Sequence, residues 1–210
     1  MKKNLFPPVI ASMRFPVPER TILARLGYSR HRTELEEPER RALAAKISGF
    51  AAMTVPRGCW TAERIARRTA DTLELENGLA IRSGKVAERY SGAEWMWFGA
   101  ATIGPELPAK SADLMRSGHT ADAVIADAVG GECADASMDY LQKLAAAALV
   151  RQGMILAEFR FSPGYGDWTL EGQTLFFDML DMAGLGITLT DSRMLLPEKT
   201  VTAAAGIVCG

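Results

Sequence analysis

The ten residues Glu94-Trp-Met-Trp-Phe-Gly-Ala-Ala-Thr-Ile103 constrain this chain more than any others. One charge opens the run and nothing in it alternates between polar and apolar. A strand that is apolar on both faces needs a layer of structure against each of them. The run is too short for a membrane span and ends at Gly104-Pro105, so it reads as a central strand covered on both sides. The rest of the chain must therefore supply further strands beside it and helices above and below.

The flanking sequence offers both. Residues 1–17 are punctuated by proline and read as extended. Pro18 to Leu26 is a short helix stopped at Gly27. Glu37 to Met53 is a longer one, with Leu43, Ile47 and Phe50 at helical spacing and Pro38 in the first turn. Residues 59–103 are β-rich, although Glu63 to Arg68 fits helix or strand. Thr72 to Glu76 alternates, Asn77-Gly78 is a hairpin turn, Leu79 and Ile81 follow, and Ser83-Gly84 turns the chain again. Helices are expected at Glu106–Arg116, Thr120–Val129 and the alanine-rich Cys133–Gln152, the last closed by Gly153. A strand-like run (Met154, Ile155, Leu156, Phe159) leads into a Gly-Pro-rich turn. Leu170 to Met182 then reads as a helix ended by Gly184, with Gln173, Phe176, Phe177 and Leu180 on one face. Leu185, Ile187 and Leu189 alternate as a strand, and Val201 to Val208 is the last one. Strands and helices in separate blocks, with no repeat and no dividing linker, argue for a single α+β domain over residues 1–210. Its expected form is a curved, mainly antiparallel sheet flanked by helices.

Composition narrows the function classes. A hydrophobic fraction of 48% supports a real core, and a net charge of −1 gives no global pull toward nucleic acid or an anionic membrane. The early basic residues Arg30, Arg32, Arg40 and Arg41 are interrupted by Glu34, Glu36, Glu37 and Glu39, the pattern of a solvated face. Cys59, Cys133, Cys209, His31 and His119 are too scattered for a zinc or iron–sulfur site. The odd cysteine count and the broken N-terminal apolar region point to the cytoplasm.

The chemistry concentrates in Arg160-Phe-Ser-Pro-Gly-Tyr-Gly-Asp-Trp168. Arg160 offers a fork that binds a carboxylate bidentately. Tyr165 offers an aromatic face and a hydroxyl. Ser162 and Gly164 are small enough for a ligand to approach the backbone. Asp135 and Asp139 stand four apart on one helix, hence on one face, and either could accept from an ammonium or sit near a sulfonium. The set suits a small zwitterion. Each residue also has a plainer reading: Arg160 as a structural ion-pair partner, Asp135 as a helix cap, Asp139 as a solvated acid, and the glycine run as a turn.

Several segments taken together resemble a known family. RFSPGYGDWTLEGQ followed by GITLTDSRMLLPEKTVTAAAGI is similar to the activation (reactivation) domain of cobalamin-dependent methionine synthase. The family has an Arg-x-x-x-Gly-Tyr turn, then a helix, then a segment matched here by Gly186, Leu189, Thr190, Ser192 and Pro197, with Leu195 where the family has Met. Upstream, Ala134 to Leu141 resembles a family helix, with Asp135 and Asp139 replacing glutamates. After Tyr165 this chain has Gly166-Asp167-Trp168 where the long synthases carry a different turn, which is like the small free-standing members.

The resemblance implies a domain that binds S-adenosylmethionine and supports reductive methylation of cob(II)alamin on a separate methionine synthase or other corrinoid protein. The electron would come from a flavodoxin-like reductant. By motif position it assigns ligand contacts to Asp135, Arg160, Ser162, Gly164 and Tyr165, with Asp139 as a further candidate, and it assigns no catalytic residue and no metal ligand. No Asp-x-His-x-x-Gly corrinoid motif occurs, so cobalamin is expected on the partner only. A reading of a different class is a docking or regulatory module for a corrinoid protein that no longer binds S-adenosylmethionine.

Overall fold

The computed structural model describes residues 6–28 and 36–210. The first five residues and the Arg30, His31, Arg32 and Glu34 part of the early charged cluster lie outside the described residues. In chain order the elements are β1 (Phe6–Ser12), α1 (Glu19–Arg25), α2 (Glu37–Ala51), β2 (Arg57–Arg68), β3 (Thr72–Leu75), β4 (Ala80–Arg82) and α3 (Gly84–Arg89). They continue as β5 (Trp95–Thr102), α4 (Glu106–Arg116), α5 (Thr120–Val150) and β6 (Met154–Leu156). A 3-10 turn (Leu170–Gly172), α6 (Gln173–Met179), β7 (Thr188–Leu189), β8 (Leu195–Leu196) and β9 (Thr200–Cys209) complete the chain.

The main sheet has the order β4-β3-β2-β5-β9-β6, with β1 also paired to β2, and each of these pairings is antiparallel. The α+β architecture with a mainly antiparallel sheet flanked by helices is therefore as the sequence indicates. The apolar run is β5, between β2 and β9, and from Met96 to Ile103 every residue is buried. Its side chains divide by parity. Met96, Phe98 and Ala100 face one core with Val86 and Ala87 of α3 and Leu175 and Phe176 of α6. Trp97 and Ala101 face another with Met138, Leu141, Ala145 and Leu149 of α5. β9 supplies small residues to both, Ala204 to the first and Ala203 and Ala205 to the second. A third cluster caps one end of the sheet: Ile22 of α1, Leu43 and Ile47 of α2, Leu107 and Leu114 of α4, and Ala126, Val129 and Cys133 of α5.

One open local reading is resolved and several others need correction. Glu63 to Arg68, ambiguous in sequence, is strand: β2 runs on past β5 and pairs Ile65 to Arg68 with β3. Ser83-Gly84 does not simply turn the chain. Ser83 caps α3, its Oγ accepting from Val86 N at 3.1 Å. The helices expected at Thr120–Val129 and Cys133–Gln152 are one 31-residue helix running through Gly130-Gly131. Two glycines cost about 1 kcal/mol each in a helix interior. Here they make room for other side chains. The Lys199 stem lies 3.2 Å from where a Gly130 Cβ would stand, and the Arg25 guanidinium 3.4 Å from that of Gly131. Ion pairs Lys199–Asp127 (2.7 Å) and Arg25–Glu132 (2.5 Å) hold both stems in place. Finally, the helix expected over Leu170–Met182 is α6 alone, preceded by the 3-10 turn and finished well before Gly184. Leu185 and Ile187 are buried alternately as read, yet only Thr188–Leu189 joins a ladder, with β8.

Candidate functional site

The site begins where a strand pairing ends. After β6 the chain continues along β9: Ala157 N donates to Gly206 O (2.9 Å), and Phe161 and Ala204 exchange both backbone bonds (2.9 and 2.8 Å). At Ser162 the chain turns away. β9 goes on from Ala203 back to Thr200 with β5 on one side only. Backbone groups of alternate residues in a strand point the same way. The N–H and C=O of Thr202 therefore face the side that Phe161 has just left, an open sheet edge.

An open cleft of about 720 Å³ lies over this edge, within the usual range for small-molecule sites. Thr200 to Ala203 and Gln173 form its floor. Ser162, Pro163, Tyr165 and Leu170 line one side, Arg193, Met194 and Leu195 the other, and Asp135, Arg160 and Glu198 bring charge.

The turn on the first side is fixed by local chemistry. Gly164 and Gly166 have φ of +94° and +65°, angles that other residues adopt at a cost. Gly164 N donates to Trp168 O (2.7 Å), Tyr165 N to Ser162 O (3.2 Å) and Trp168 N to Tyr165 O (3.1 Å). The Asp167 carboxylate accepts from Ser83 Oγ (2.5 Å), Gly84 N (2.8 Å) and Lys85 N (3.2 Å) at the start of α3. The Ser83 hydroxyl, followed by the Lys85 and Gly84 amides, holds its pKa below the ordinary value. Trp168 is buried in the α3/α6 core, its ring 5.9 Å from that of Phe176. Tyr90 Oη donates to Phe159 O (2.8 Å), and burial pushes the Tyr90 phenol up to about 12.

Arg160 projects toward α5. Its Nη2 donates to Asp139 Oδ1 at 2.7 Å and its Nη1 to Gln142 Oε1. The Arg160 side chain is 25% exposed and that of Asp139 58%. A guanidinium has five N–H donors, so three remain. Asp135, one turn before Asp139 on the same helix, is 63% exposed, and its nearer cation is Arg25, at 3.8 Å. Burial raises the Asp135 pKa, and the charge of Glu132 adds to the shift; Arg25 and Arg160 oppose it. Tyr165 is 70% exposed at the rim.

The structure thus brings Asp135, Arg160, Ser162 and Tyr165 around one cleft. Gly164 shapes the turn between Pro163 and Tyr165, and Asp139 stands behind Arg160 as its ion-pair partner. Sequence reasoning passed over Gln173, Thr202, Arg193 and Glu198. Gln173 is buried, and Thr202 Oγ1 donates to its Oε1 at 2.7 Å. Its signal in the sequence was a lone amide on the face of Phe176 and Leu180. Arg193 has φ of +64°, alone among the described non-glycine residues in that region. Nothing in the sequence announces that conformation. The cleft lining contains hydrogen-bond donors, acceptors and apolar surface. Among the described residues no group of three or more His, Cys, Asp or Glu side chains is placed to hold a metal ion. None of the described helices is long and apolar enough to cross a membrane.

No family model matches the chain, and no curated protein matches it in sequence. Among solved structures it is similar to the MetH reactivation domain bound to AdoHcy. The TM-score is 0.68 and the identity 14%, over 98% of this chain and 79% of that one. The chain shares the fold of that reactivation domain.

Proposed function

We propose that this chain binds S-adenosylmethionine in the cleft over the open edge of β9. There it serves as a reactivation subunit, supporting reductive methylation of cob(II)alamin carried by a separate methionine synthase or other corrinoid protein. The observation that carries the proposal is the convergence of Asp135, Arg160, Ser162 and Tyr165 on one cleft, in a fold whose solved neighbour is bound to AdoHcy.

The residues fit such a ligand. The three remaining N–H groups of Arg160 can take its carboxylate. The exposed carboxylate of Asp135 can face its ammonium or sulfonium charge. The Gln173 amide nitrogen and the Thr202 backbone can read a polar heterocycle edge, and Tyr165 can cover the open side as an aromatic lid. When bound, the ligand supplies an electrophilic methyl group for a partner's reduced cobalt. This chain's part is to hold that methyl at a fixed place, a proximity effect. The electron donor would be a flavodoxin-like protein.

Titration calorimetry with S-adenosylmethionine and S-adenosylhomocysteine tests the binding step. The wild type should bind both. A corrinoid methyltransferase and a reductant, with and without the chain, test the rest: methylcobalamin should appear faster with it. One observation favours a second reading, a docking module without ligand: Arg160 already has Asp139 and Gln142 as partners. No heat at millimolar ligand would select that reading.

A further inference from the structure

Gln142 lies one turn beyond Asp139 on α5, and its side-chain amide is used at both ends. Nε2 donates to Ala157 O at 2.7 Å and to Glu158 O at 3.1 Å, while Oε1 accepts from Arg160 Nη1. An amide has two N–H groups, so both donors are spent on carbonyls. A flipped amide would set its NH₂ against the guanidinium donors and its oxygen against two carbonyl oxygens, so only one orientation satisfies the network. The carbonyl-bearing segment is itself tied to the sheet, through Ala157 N to Gly206 O at 2.9 Å.

We infer that Gln142 is a positioning residue. It relays the fixed place of β9 and the segment after β6 to the guanidinium of Arg160, and so aims the remaining N–H groups at the cleft. Asp139 also holds Arg160, but its carboxylate is largely exposed and fixes a charge rather than a plane. With Gln142 in place, the long arginine side chain is ordered before a ligand arrives, which lowers the entropy cost of binding. The ligand-binding half of this inference rests on the reading given under Proposed function.

The test compares two ligands and one spectroscopic signal. S-adenosylhomocysteine carries the amino-acid end that Arg160 would grip. 5′-Methylthioadenosine has the same nucleoside thioether without it. Gln142→Met keeps the side-chain length and removes both hydrogen-bonding ends. It should weaken S-adenosylhomocysteine about 10-fold, the scale of one charged hydrogen bond. It should leave 5′-methylthioadenosine unchanged and make Arg160→Ala no more damaging in the double variant than alone. In the ligand-free protein, the Arg160 guanidinium nitrogen signals should show restricted rotation by NMR in wild type and faster rotation in Gln142→Met, where only the Asp139 bond remains. Equal weakening of both ligands would mean that Gln142 only braces α5, and would overturn the inference while leaving the functional reading intact. An unchanged Arg160 signal would overturn it whatever binds. A wild type that binds neither ligand would sink the functional reading, and with it any role for Gln142 in presenting Arg160 to a ligand.

Discussion

The two sides of the cleft are built differently. The side from Arg160 to Gln173 is fastened to the body of the protein at several points. Asp167 caps α3, Trp168 is buried against Phe176, Tyr90 holds the Phe159 carbonyl, and Arg160 is gripped from α5. The opposite side, Thr188 to Leu196, is a hairpin of two-residue strands. Its tip is held by bonds within itself: Thr190 N to Met194 O (2.9 Å), Met194 N to Thr190 Oγ1 (3.0 Å) and Arg193 N to Thr190 O (2.9 Å). Met194 and Leu196 are exposed. The lesson is that one wall is tied to the body of the protein, while the tip of the other is tied by backbone bonds to itself.

Loss of the buried anchor of the first wall should therefore be expensive in stability, and damage to the second wall should not. The largest effect is expected for Trp168→Ala, which empties a buried aromatic site. It should lower unfolding free energy by about 3–5 kcal/mol in a denaturant titration. A loss under 1 kcal/mol would erase the contrast between the walls. Next comes Arg160→Ala, a change in binding rather than in fold. It should cost about 1.5–3 kcal/mol of S-adenosylmethionine affinity by calorimetry, with unfolding little altered. On the second wall the sign reverses. Arg193→Gly removes a side chain from a left-handed residue and should stabilise the protein by about 1 kcal/mol. A destabilised variant would show that Arg193 makes contacts that hold the hairpin.

The smallest effect at neutral pH is that of Asp167→Asn, and it has a pH signature. The folded pKa of Asp167 lies below its ordinary value of 3.8. Ionised Asp167 thus adds stability above about pH 4, and that contribution is lost as pH falls through the lower folded value. Asparagine has no such step. The stability difference between wild type and variant should shrink on acidification from pH 5 to about pH 2. A gap that stays constant over that range would mean that the charge of Asp167 does not hold the turn.

Much of the sheet was legible because its signals are local. The apolar run of β5, the Asn77-Gly78 hairpin, the alternation of β3 and the small-residue strand β9 each announce themselves within a few residues. The site was legible in part, through the density of special residues between Arg160 and Trp168. What escaped depends on distant partners. Gln173 gains meaning only from Thr202. The continuity of α5 depends on Lys199 and Arg25, which reach the two glycines from opposite ends of the chain. A local window around Gly130-Gly131 sees only two helix breakers.

That continuity bears on how the protein comes apart. The first half of α5 belongs to the helical cap with α1, α2 and α4, and its second half to the core beneath the sheet. Had the chain broken at Gly130-Gly131, cap and sheet would be two modules joined by a hinge, each free to open alone. With one rod embedded in both, opening either exposes the other's share of the helix. Cap and sheet become one cooperative unit, and amide exchange should report a common opening energy along the length of α5.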